Sequence, residues 1–150
     1  MAKNKDSKKP SFRKSPPDTK APRTNKLLVG SGKSLFRWRI HPNFIDFNHK
    51  QYGWHQLSLR AFFAILVSPL HDYENMQWSD LANRQSCHTW KISDIPRDAQ
   101  IRISERYSER VNDTLFQIDV NEFDRIVGYR DRSIFYVMWY VPNHIWDPIK

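Results

Sequence analysis

Apolar positions along this chain follow two rhythms. "LFRWRI" (Leu35 to Ile40) puts Phe36, Trp38 and Ile40 on one side and Arg37 and Arg39 on the other. That alternation is the period-2 signature of a half-buried strand. In "WHQLSLRAFFAILVSP", Leu59, Phe62, Phe63 and Leu66 recur at helical spacing, which predicts the most buried helix, with Pro69 as its stop. "NMQWSDLANR" predicts a short helix around Trp78 and Leu81, and "SCHTWKI" an extended segment. "SDIPRDAQIRISERYSERV" predicts an amphipathic helix capped by Ser93 or Asp94, with Pro96 in its first turn and Ala99, Ile103 and Tyr107 facing inward. Arg97, Arg102, Glu105, Arg106 and Glu109 are expected on its outer face.

The C-terminal third reads as strand throughout. "TLFQIDV" alternates, "DRIVGYR" alternates less cleanly, and "SIFYVMWYV" is apolar on both faces. A strand of the last kind belongs inside a sheet or under helices. Strict alternation puts Tyr136 and Tyr140 on one face, with Phe135, Val137 and Trp139 on the other. The turn "YRDRS" has no glycine, so a loop longer than two residues is expected there. The fold class is therefore α+β: a mainly antiparallel sheet with a C-terminal three-stranded meander and helices packed on one face. A sheet split by the helical segments is the alternative.

Charge divides the chain. Residues 1–34 hold ten Lys/Arg and two acids, a net of +8, whereas residues 35–150 hold fourteen of each, a net of zero. The Lys-, Pro- and Ser-rich segment 1–33 has too little apolar surface to offset the entropy of ordering, so it is expected to be a disordered basic tail ahead of a single α+β domain at 34–150. Such a tail either lies along phosphates, through Lys8, Lys9, Arg13 and Lys14 among others, or only solubilises. The lone Cys87 has no disulfide partner, and the longest apolar run, "AFFAILV", is too short to span a bilayer. Both point to a cytoplasmic protein that does not use a membrane.

Six histidines lack any metal-ligand spacing, and no phosphate-binding or dinucleotide motif is present, so no metal and no cofactor is expected. Cys87 and His88 are neighbours on a strand and point to opposite faces, which suits a buried thiol better than a thiolate–imidazole pair. Acid–base chemistry on RNA remains open to this residue set. Histidines exchange protons near neutrality, and arginines hold phosphate bidentately. His88, His144, Arg130 and Tyr136 are the catalytic candidates, with Arg37, Arg39, Arg125 and Arg132 as further nucleic-acid contacts. Each has a plainer role: tyrosines in a sheet core, arginines solvated around a turn, and His144 capping the sheet.

The stretch "LFQIDVNEFDRIVGYRDRSIFYVMWYVPNHIWDP" resembles the C-terminal part of a family of small uncharacterised bacterial proteins, whose pattern runs R-I-x-G-x-R-D-G…F…L-W-W-D-P-x-H. Arg125, Gly128, Arg130, Asp131, Phe135, Trp139, Pro142 and His144 match it; the Asp-Gly turn is Asp131-Arg132 here, and Trp-Asp-Pro is Tyr140-Val141-Pro142. The hairpin with charged groups at its rim also resembles, more distantly, the RelE/ParE toxin superfamily. That resemblance implies a toxin-like, metal-independent endoribonuclease acting on ribosome-associated mRNA, with an antitoxin protein as partner. The alternative is a non-enzymatic nucleic-acid- or protein-binding module with a basic arm.

Overall fold

A computed structural model describes residues 33–111, 113–143 and 145–146. Lys8, Lys9, Arg13, Lys14 and His144, and nearly all of the basic segment, lie outside these described residues. The protein is α+β. Its five-stranded sheet comprises β1 (Arg37–Arg39), β2 (Cys87–Lys91), β3 (Thr114–Asp119), β4 (Asp124–Asp131) and β5 (Ile134–Pro142), in the spatial order β1-β5-β4-β3-β2. The pairs from β2 to β5 are antiparallel, and β3, β4 and β5 form the expected meander; only β1 runs parallel to its neighbour.

The apolar rows of β5 sit where that composition requires, between β1 and β4. Each face of the sheet carries its own core. On one, Phe116, Ile126 and Phe135 pack with Leu66, with Leu70 of α2 (Ser68–Tyr73) and with Trp78 of α3 (Trp78–Ala82). On the other, Leu115, Val127 and Trp139 pack with Ala99 and Ile103 of α4 (Arg97–Arg106). The helices thus cover both faces rather than one, because a strand apolar on both sides needs two apolar covers. No helix among the described residues is long and apolar enough to cross a membrane.

Four local expectations change. The helix that starts as α1 (Leu59–Phe62) runs on past Pro69 to Tyr73. A π-helical turn, Phe63–Val67, intervenes, in which the Ser68 N–H reaches back to the Phe63 carbonyl. This widening just before Pro69 accommodates a residue that lacks an N–H and crowds an α-helical turn. Leu66 and Leu70 form the buried line, while Leu59 and Phe63 are exposed. The α4 N-cap is Pro96, with no side-chain cap from Ser93 or Asp94, which instead close a short 3-10 turn at Ile92–Asp94.

A β-bulge between Val127 and Gly128 shifts the β4–β5 register, so that Gly128 opposes Val137 and Val127 opposes Trp139. The extra residue puts Met138 and Trp139 in the same core and moves Tyr140 to the face opposite Tyr136. Tyr140 is a core residue whose hydroxyl donates to Asp124. Finally, Asp131 pairs with Ile134, so the β4–β5 turn holds only Arg132 and Ser133, and Arg132 takes φ 57°. This is the left-handed region that costs an L-residue about 1 kcal/mol or more. Arg132→Gly is expected to stabilise the protein by about 0.5–1 kcal/mol, read as a higher urea midpoint at an unchanged slope.

Candidate nucleic-acid interface

On β1, Arg37 and Arg39 point away from Trp38, which joins the α2–α3 core. Their register partners on β5 are Ile134 and Tyr136, and Tyr136 in turn opposes Tyr129 of β4. Laterally paired residues share a face. Arg37, Arg39, Tyr136 and Tyr129 therefore lie together at the β1 side of the α4 face. Both arginines are exposed, and the two tyrosines are half-buried.

A loop adds two rings. Phe44 lies nearly flat on both tyrosines, its centroid 4.5 Å from that of Tyr136 at 23° and 6.0 Å from that of Tyr129 at 8°. His41 stands edge-on to Tyr136 at 6.3 Å and 85°. Both added rings keep partial exposure. The His41 Nδ1 accepts from the Asn43 N–H, which directs Nε2 away from the turn. Alongside, a depression of about 420 Å³ follows the free edge of β1 between Arg37, Trp38, Arg39 and Glu74, with Trp38 Nε1 donating to Glu74 at 2.7 Å.

Asp46 holds this loop in place. Its carboxylate is fully buried and accepts from Arg102 (2.8 and 3.0 Å), Trp139 Nε1 (3.2 Å) and the backbone N–H groups of Asn48 and His49. Burial alone would raise its pKa, but the hydrogen bonds from Arg102, Trp139 and Asn48 outweigh it and hold the carboxyl at about 2. Arg106 approaches Asp46 at 3.5 Å and donates to the carbonyls of Pro42 and Ile45, while the Tyr107 hydroxyl donates to the Phe44 carbonyl. Arg102 and Arg106, expected on the outer face of the helix, turn inward because a buried carboxylate needs cations.

The catalytic candidates are not gathered at one place. His88 sits on edge strand β2, its Nε2 3.7 Å from Asp119, which also accepts from Arg125 (3.0 Å) and Gln117 (2.7 Å). Tyr136 lies three strands away, about 14 Å at the usual strand spacing. Arg130 is on the opposite face from Tyr136, its guanidinium 4.0 Å from the centre of the Trp78 ring, and its Nε donates to the Arg132 carbonyl. Cys87 is buried, which pushes its thiol up to about 11. Among the described residues, no group of three His, Cys, Asp or Glu side chains is placed to hold a metal ion.

Of the residues singled out in the sequence, Arg37, Arg39 and Tyr136 share one face of the sheet edge, and His88 and Arg125 each approach Asp119. Phe44, Tyr129, His41 and Asp46 were missed. The only sequence signal for the loop was its density of aromatic and histidine residues in "HPNFIDFNHK". Compared with models of known protein families, with curated proteins and with solved structures, the chain gives no match.

Proposed function

We propose that the protein is a binding module for single-stranded nucleic acid, with Arg37 and Arg39 holding phosphates and the Tyr136–Phe44–Tyr129–His41 cluster providing ring surface for bases. One observation carries this reading: exposed arginines alternate along a sheet edge beside partly exposed stacked rings, directly after the segment that holds the whole +8 excess. Bases stack on aromatic side chains largely without regard to sequence, and the basic segment ahead of β1 adds salt-sensitive affinity along the strand. The neutral body then confines contact to this edge and the arm.

The test is fluorescence anisotropy with a labelled 12-nucleotide oligouridine across a salt series. Arg37→Ala/Arg39→Ala should weaken binding and lower the slope of log affinity against log salt by about 1.4, the loss of two single-strand phosphate contacts. Tyr136→Ala should cost about 1–3 kcal/mol with the slope kept, since stacking is not a counterion effect. Affinity and slope left unchanged by the arginine pair would remove β1 from the interface.

A toxin-like cleavage reading draws on a different feature, the His88–Asp119 pair backed by Arg125. The two side chains stand 3.7 Å apart, beyond hydrogen-bond distance, and closing that gap would make a general acid–base arrangement. The same oligonucleotide on a denaturing gel separates the two readings. Scission by the wild type that His88→Ala abolishes would assign a nuclease; intact strands with both proteins leave the binding module.

A further inference from the structure

The helical run from α1 through the π-turn to α2 carries apolar side chains on the wrong side. Leu59 is 75 % exposed and Phe63 52 % exposed, although Leu66 and Leu70 of the same run are fully buried. The exposed residues fall in four steps, Leu59–Arg60, Phe63–Ala64, Ser68 and His71–Asp72. An ideal α-helix would rotate such a four-residue stripe by about 40° per step. The π-turn at Phe63–Val67 winds the other way and keeps the stripe on one side of the helix. Large apolar residues adjacent on one helix face, rimmed by charge, mark an interaction surface rather than scattered surface hydrophobicity.

The charges on the stripe identify the occupant. Arg60 stands at one end and Asp72 at the other, and neither forms an ion pair with a described residue. A second copy of the same helix laid antiparallel about the midpoint at position 66 brings Arg60 opposite the partner's Asp72, and Asp72 opposite the partner's Arg60. The same register sets Ala64 against Ser68 at the crossing, where small side chains permit close approach, and puts Leu59 and Phe63 against the partner helix. Both ion pairs close at once only near the shallow crossing of about 20° common in antiparallel helix pairs. We propose that this face is a two-fold, self-complementary interface through which two copies of the protein associate. One helix face offers less than the roughly 800 Å² per partner of a standard stable complex, so the dimer is weak and concentration-dependent.

The charge pattern also supplies the test. Sedimentation of the 150-residue chain at 0.15 M salt should show reversible association from the 18.0 kDa monomer toward twice that mass. Arg60→Asp faces acid with acid in both contacts, and Asp72→Arg faces cation with cation, so each variant alone should dissociate at least tenfold more readily. An equimolar mixture of the two restores both ion pairs and should associate as tightly as the wild type. Phe63→Glu should give monomer, with circular dichroism reporting an intact fold at this exposed position. A wild type that stays monomeric up to its solubility limit overturns the interface. So does a mixture no tighter than its separate components, or association indifferent to Phe63→Glu.

Discussion

Asp46→Asn is expected to be among the most damaging single substitutions in this protein, costing about 3–5 kcal/mol of folding stability. The carboxylate is fully buried and receives hydrogen bonds from a guanidinium, an indole and two backbone amides. An amide in its place presents an NH₂ to donors and leaves Arg102 and Arg106 facing no charge. Removing one partner of a buried ion pair costs far more than the pair contributes by itself. The pH dependence gives a second reading of the same bond. The folded carboxyl titrates near 2, against an ordinary value of 3.8, which corresponds to about 2 kcal/mol. Because the folded value is the lower one, the unfolded chain binds more protons through this window. The contribution is complete above about pH 5 and is lost as pH falls from 4 through 2. Urea unfolding of wild type and Asp46→Asn at pH 7, 4 and 3 should show the gap between them narrowing as the solution is acidified. A constant gap would mean that the substitution acts through packing rather than charge.

Gly128→Ala is expected to lower stability by about 3 kcal/mol and the melting temperature by about 10 °C. A methyl at this position would overlap the Tyr136 carbonyl oxygen and stand 2.6 Å from the Phe135 ring. The ring is fully buried against Phe36 and Phe116, and the carbonyl belongs to β5, an interior strand. The constraint is therefore close approach at the bulge, with no special backbone angle required. Adding Phe135→Leu to Gly128→Ala should recover only part of the loss, because it relieves the ring and leaves the carbonyl. Thermal unfolding of the two proteins measures this directly. A single variant that melts within 2 °C of wild type would show that the β4–β5 ladder gives way easily. Gly128 also matters for the proposed interface, because the bulge beside it separates Tyr136, at the surface with Phe44, from Tyr140 in the opposite core.

Much of the fold was legible in residue order because side-chain periodicity is a local property. Arg37 and Arg39 alternate with Phe36 and Trp38, and that alternation alone sets the arginines on the face away from the α2–α3 core. The doubly apolar run of β5 required an interior strand, and the structure puts it between β1 and β4. The division of charge, +8 before residue 35 and zero after it, is a matter of counting. What failed was each inference that assumed an uninterrupted period. One extra residue at the bulge parted Tyr136 from Tyr140, and one π-turn carried a helix through Pro69 and left Leu59 and Phe63 outside.

The candidate site was less legible, for a related reason. Asp46 and Arg102 are 56 residues apart, and in isolation one reads as a loop acid and the other as a solvated helix cation. Only when α4 closes over the sheet does their pairing become the lowest-energy place for both, and it then fixes where Phe44 lies on Tyr129 and Tyr136. His88, Arg130 and Tyr136 illustrate the converse: suitable residue types that the sheet places on different strands and faces. The sequence by itself determined the class of fold, the strand rhythm and the basic N-terminal segment, since these follow from neighbours along the chain. Which rings stack, which charges are buried and which apolar faces stay uncovered were decided by tertiary structure alone, because each depends on atoms that the sequence holds far apart.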